Sequence, residues 1–307
     1  MAHPYINLMG QLGVKLPHNS EMAQLLKQIP SAASLYLESR LDDSKRLDLL
    51  YSINTKRPLF NYPLPVKLHQ SIQTLLTQQP NIPYIWLEYD NINSGKLGTA
   101  GFHACVCPNY LKQHHQTSAL SDEQVLKVID HLSHYKLSSR YTQLLPLIQQ
   151  IREHSTLIHV SYMSQRKPEC IKLFVKLPRA QLGKLLHAIK WQGNRELLET
   201  QLNKSWYKED KNGCISLDLK IEHTLTPYIA VVHSQMMLDS LTDSTKRIYD
   251  LIEADIISKD HDIKAVLAWL TPNKQNNDLR WLDIKTTIDE QSQLSSKLYF
   301  GGQKLQC

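Results

Sequence analysis

The chain reads as an α+β protein built on a single ten-stranded antiparallel β-barrel, five ββα(α) repeats surrounded by α-helices. Three observations predict this. Strand-like segments come in pairs, amphipathic helical segments separate the pairs, and the strands alternate apolar and polar residues. Parallel α/β folds alternate single strands with single helices, so paired strands argue for an antiparallel sheet. Ten strands is about where an open sheet curls or closes.

The first strand pair is 34–41 (SLYLESRL) with 46–54 (RLDLLYSIN), joined by the polar turn Asp42-Asp43-Ser44. A helix over 64–78 follows, with Val66, Leu68, Ile72, Leu75 and Leu76 near helical spacing. The second pair is 84–90 (YIWLEYD) with 101–107 (GFHACVC), across an Asn/Ser/Gly-rich loop. A helix opens at Ser121, where Gln124 completes a capping box, and another spans 139–153, where Pro146 is expected to kink it. The third pair is 157–163 (LIHVSYM) with 171–177 (IKLFVKL). Pro178 opens a helix over 179–191, and Gly193-Asn194 separates it from a helix over 195–206. The fourth pair is 215–222 with 228–233, followed by helices over 244–257 and 262–270. The fifth pair is 281–289 with 295–300.

With 307 residues, 42% of them hydrophobic, the chain can bury either two average cores or one large barrel. The hairpin census assigns all of 1–307 to one domain. Ten glycines and 14 prolines exclude a collagen-like or low-complexity chain. No 18 apolar residues run together, which argues against a transmembrane helix. The start Met-Ala-His-Pro-Tyr lacks a secretory pattern, and five irregularly spaced cysteines make no disulfide framework. The expectation is a reduced, cytoplasmic protein. The net charge of +6 with no Lys/Arg run of five points away from nucleic acid.

Alternation sorts the strand residues into two faces. Leu35, Leu37, Leu49, Ile53, Leu173, Val175, Leu217, Leu219 and Ile284 form an apolar side that amphipathic helices would cover. Tyr36, Glu38, Arg40, Asp48, Lys172, Phe174, Lys176, Asp218, Lys220, Trp281 and Lys285 form the opposite side. Alternation alone suits an open sheet or a closed one. Aromatics among the polar positions, and helices after every hairpin, favour closure around a polar lumen.

This organisation resembles the aromatic prenyltransferases of the ABBA, or prenyltransferase (PT) barrel, family over roughly 20–302. In that family the first strand carries a Glu base, and Glu38 stands there. The second carries a diphosphate-binding Arg or a metal-binding Asp, matched by Arg46 and Asp48. Later strands carry Lys-x-Tyr; Lys297-Leu298-Tyr299 fits, and Lys172-Leu173-Phe174 fits with Phe for Tyr. Strand eight departs, since Tyr228-Ile-Ala-Val-Val232 has nothing basic, and Lys176, Lys220 or Lys285 would have to compensate.

The resemblance implies transfer of a dimethylallyl or geranyl group from an allylic diphosphate to an aromatic acceptor, a small molecule or a peptide side chain. Lys and Arg would stabilise the departing diphosphate. Tyr36, Trp86, Phe174 and Trp281 would shield the allyl cation, and Glu38 would take the acceptor proton. The implied cofactor is Mg2+ on Asp48. No nucleic acid or membrane partner is implied, and the working unit is a monomer or weak homodimer. The competing expectation is a non-prenylating barrel that binds or tailors a peptide or small-molecule natural product. His103, Cys105 and Cys107 share a face but lack a fourth zinc ligand, and His114-His115 reads as a solvated loop pair. Gly-rich phosphate loops, Gly-x-Ser-x-Gly and His-Glu-x-x-His are absent from the sequence.

Overall fold

All ten expected strands form. They are β1 (Leu35–Arg40), β2 (Leu47–Asn54), β3 (Tyr84–Tyr89), β4 (Gly101–Cys105) and β5 (Thr156–Met163). The second half supplies β6 (Cys170–Pro178), β7 (Cys214–Ile221), β8 (Leu225–Gln235), β9 (Asp278–Ile288) and β10 (Leu294–Lys304). The computed structural model describes residues 8–10, 12, 14–17, 19–30, 33–40, 47–107, 119–133, 141–164, 169–204, 213–235, 266, 269 and 278–304. Every strand pairs antiparallel with its neighbour, and β1 pairs with β10, so the sheet closes into a barrel. Closure removes both edges. It also lengthens the late strands beyond the alternating segments, because each added residue finds a ladder partner from Asp278↔Lys304 to Ile288↔Leu294.

The apolar faces point outward and are covered. Leu37, Leu49, Ile53, Leu173, Val175, Leu217, Leu219 and Ile284 have no exposed surface. Each contributes about 1.5–3 kcal/mol by leaving water. Helices α1 (Glu21–Gln28), α2 (Val66–Gln78), α3 (Asp122–Leu132), α4 (Tyr141–His154), α5 (Leu182–Ala188) and α6 (Arg195–Leu202) flank the strands. Helix α3 buries Val125, Leu126, Val128, Ile129 and Leu132 along one stripe. Its expected capping box forms: the Gln124 amide donates to Ser121 Oγ at 3.2 Å, and the Ser121 amide donates to Gln124 Oε1 at 2.8 Å. The Ala23 and Leu197 amides likewise donate to the cap side chains Ser20 and Asn194.

One expected helix contains its proline and another begins differently from the expectation. Pro146 stands inside α4 without ending it. The helix expected over 179–191 starts as a 3-10 turn at Arg179–Gln181 and turns α-helical only from Leu182 to Ala188. The turn Asp42-Asp43-Ser44, His114-His115, and all of 244–257 lie outside the described residues, as does 262–270 apart from Val266 and Trp269. Among the described residues no helix is long and apolar enough to cross a membrane.

A bulge in β5 matters for the interior. Leu157 pairs with Val175 and His159 with Phe174, leaving Ile158 as the extra residue. Leu157 can therefore face the outer core with Val175, while His159 and Ser161 face inward beside the polar residues of β6.

Candidate functional site

The inward faces enclose a cavity of about 270 Å³ in the barrel lumen. Its charge is divided between two walls.

On β6, β7 and β9, Lys172 and Lys285 converge on one carboxylate. Lys285 Nζ donates to Asp218, and Lys172 Nζ lies 3.5 Å from the same oxygen. Burial pushes Asp218 up, but Lys285 and Lys172 outweigh it and hold the carboxyl at about 2. The trio therefore carries one net positive charge. Tyr228 on β8 lies beneath it, with Lys172 5.5 Å and Lys220 5.7 Å from its ring centroid. Burial alone would raise the Tyr228 phenol, yet Lys172 and Lys285 bring it below its ordinary value.

On β1, β2 and β3 the wall is acidic. Glu38 and Asp48 are paired directly across the β1–β2 ladder, and oxygens of Glu38, Asp48 and Glu88 all lie within 4.8 Å of one another. Lys297 on β10 donates to Glu38. Glu38, which burial would raise, is thereby held below the ordinary carboxylate range. Asp48 moves the other way, pushed up to about 7 by burial and by the Glu38 charge. The Asn91 amide donates to Asp48 at 2.7 Å, and Arg40 lies 3.4 Å from it.

An aromatic cluster centred on Tyr36 draws on β1, β3, β9 and β10. Its ring lies 5.4 Å from Trp86, 5.5 Å from Trp281 and 6.3 Å from Tyr299. Across the lumen, His159 and Phe174 pair at 5.7 Å. Burial, and then His103, pulls His159 down to about 3, so it is neutral at pH 7.

The expected site residues that lie among the described residues thus fall into three groups. Tyr36, Glu38, Trp86, Lys172, Phe174, Lys285, Lys297 and Tyr299 line the cavity. Asp48 and Trp281 stand directly behind that lining, on Glu38 and Tyr36. Lys176 and Lys220 share the inward face but do not line the cavity; Lys220 is taken by Glu222 and Glu290, each at 2.7 Å. Arg46 lies outside the described residues. Asp218, expected on the polar face, also lines the lumen, as do Glu88, His103, His159, Ser161 and Asp283, none of which was proposed as a site residue. The signal for them was period-two placement alone. Strand eight places Tyr228, Ala230 and Val232 inward, so the expected lack of a basic group there is real among these residues.

His103, Cys105 and Cys107 form no ligand cluster. Among the described residues the potential ligand atoms that converge are those of Glu38, Asp48 and Glu88. The Cys105 thiol instead donates to the Cys107 carbonyl, and burial pushes it up to about 12. His103 is engaged on both ring nitrogens, with Glu88 Oε2 at 2.9 Å and Ser161 Oγ at 2.6 Å. Three hard carboxylate oxygens suit Mg2+ far better than zinc, and two of their owners border the cavity.

A closed ten-stranded antiparallel barrel with helices outside and a polar lumen is an architecture of the PT-barrel type. No protein-family model matches the chain, and no curated protein matches it in sequence.

Proposed function

We propose that the lumen transfers an allylic prenyl group from its diphosphate to an aromatic acceptor. The observation that carries this reading is the content of the lumen: a net-positive lysine group, a carboxylate group bridged to it through Lys297, and a cluster of aromatic rings share one cavity. Lys172 and Lys285 bind the diphosphate, with Lys297 beside them. The allylic C–O bond breaks and its electron pair leaves with the diphosphate. Tyr36, Trp86 and Tyr299 offer π-faces to the allyl cation and keep water from it.

Lys297 gives the proton step its order. While Lys297 is bonded to Glu38, the carboxylate is a poor base. Drawn to the diphosphate, Lys297 leaves Glu38 in a buried site with Asp48 and Glu88, and its basicity rises. The aromatic carbon or heteroatom attacks the allyl cation to form the new bond, and Glu38 accepts the proton that this atom then releases. Mg2+ would be held through Asp48, where it would neutralise charge on the bound diphosphate.

A second reading rests on one observation. Lys172, Lys285 and Lys297 each already have a carboxylate partner. A lumen charged in balanced pairs also suits a zwitterionic aromatic molecule or peptide that is bound without ionisation. Calorimetric titration with dimethylallyl and geranyl diphosphate, with and without Mg2+, separates the two. Prenyl transfer requires binding that weakens at least tenfold in Lys297→Ala and Lys172→Ala. No heat with either diphosphate, or wild-type binding in both variants, would overturn it.

A further inference from the structure

Three neighbouring strands place a serine, a histidine and a carboxylate in one hydrogen-bonded line along the cavity wall. Glu88 comes from β3, His103 from β4 and Ser161 from β5, and all three border the cavity. Glu88 Oε2 lies 2.9 Å from His103 Nε2, and His103 Nδ1 lies 2.6 Å from Ser161 Oγ. An ionised carboxylate only accepts, so Nε2 carries the imidazole proton and Nδ1 presents its lone pair to the serine hydroxyl. The hydroxyl donates to that lone pair. The chain order is carboxylate, histidine, serine, but such a relay is recognised by geometry and not by order.

We infer that Ser161 is a nucleophile activated by His103 and Glu88, and that the lumen takes a small carboxylic ester or thioester with a planar acyl part. Ser161 Oγ attacks the carbonyl carbon while its proton passes to His103 Nδ1. Glu88 stabilises the imidazolium through Nε2–H. The carbonyl oxygen gains the negative charge, and Lys172, directly across from Ser161 in the β5–β6 ladder and also bordering the cavity, is the donor placed for it. The C–O or C–S bond breaks, and the leaving alkoxide or thiolate takes the proton from Nδ1. Water then attacks the acyl-serine as His103 takes its proton; the acyl–Oγ bond breaks, His103 returns the proton to Ser161 Oγ, and the free acid departs. Trp86 stands directly across from His103 in the β3–β4 ladder, and Phe174, two residues after Lys172 on β6, also borders the cavity. These flat faces select a planar acyl group. His159, neutral beside His103, adds no competing charge.

This inference does not rest on prenyl transfer, although the two readings share Lys172 as an anion-binding group. The probe is p-nitrophenyl acetate with the purified full chain. Nitrophenolate release and the mass of tryptic peptides are followed together. The expected result is one acetyl group on the peptide bearing Ser161. Ser161→Ala should lose the adduct, and Glu88→Gln should slow its formation by about 10²–10⁴-fold. Circular dichroism establishes that the variants are folded. Mapping in the wild-type chain decides the matter even where a variant does not fold. Acetylation at lysines or tyrosines alone, no adduct, or equal adduct formation in a folded Ser161→Ala would each overturn the inference. Diphosphate binding, measured separately, stays as in the wild type in Ser161→Ala whichever way this result falls.

Discussion

The indole of Trp281 occupies the space that a β-carbon on Gly301 would need. The two residues are paired across the β9–β10 ladder, and an added Cβ would overlap the indole nitrogen and its neighbouring carbons. Gly301 is also paired with Tyr36 in the β1–β10 ladder. The glycine therefore lets Trp281 lean across β10 and reach the Tyr36 ring. Gly301→Ala should cost about 1–3 kcal/mol by overpacking and separate Trp281 from Tyr36. The checks are the urea midpoint and tryptophan fluorescence. A variant with unchanged midpoint and emission would mean that the indole moves aside freely.

Lys172 and Lys285 are unequal partners of Asp218. Asp218→Asn leaves two buried ammonium groups facing each other and should cost about 3–5 kcal/mol in urea denaturation. Lys172→Met should cost less, because Lys285 still neutralises the carboxylate. Equal losses would contradict the assignment of Lys285 as the principal partner.

The Asp48 carboxyl gives stability a particular pH dependence. Its folded value of about 7 lies above its ordinary 3.8. The contribution is thus fully present below the ordinary value and is lost as pH rises through the folded one. His159 titrates with the opposite slope in part of this window, so the informative quantity is the difference between Asp48→Asn and wild type. That difference should favour the variant progressively from about pH 4 to above pH 7. Urea midpoints at several pH values measure it, and a flat difference would show that Asp48 ionises normally.

Asp218 governs the acid limb. Its folded value near 2 lies below the ordinary carboxylate value, so its stabilisation is present above that value. It is lost as pH falls through the folded one. Asp218→Asn should remove that part of the acid transition, readable as a shallower loss of Tm between about pH 4 and pH 2.

The cap of α3 offers a test away from the lumen. Ser121→Ala removes the acceptor for the Gln124 amide and should cost about 1 kcal/mol, leaving ligand binding unchanged.

How much of this was legible beforehand varies by residue. Period two put Glu38, Lys172, Phe174, Lys285 and Tyr299 on the inward face because a strand's side chains must alternate. The same rule could not rank Lys220 against Lys285. One pairs with Glu222 and Glu290 outside the cavity and the other with Asp218 inside it, and those carboxylates lie on different strands or turns. Nor could it single out Ser161. A serine and a histidine 58 residues apart read as ordinary polar strand positions until β4 and β5 are laid side by side.

Local chemistry determined the elements of this protein. Alternation, caps and turn residues act over a few positions and are written directly in the chain, which is why the five hairpins, the outward core and the polar lumen could be read from it. Only the tertiary structure decided which polar groups meet. Lys297 and Glu38 are 259 residues apart and touch because β10 closes on β1. The charge division of the lumen and the serine–histidine–glutamate line depend on such register across strands. Register is set by packing of the whole barrel, and no short stretch of sequence contains it.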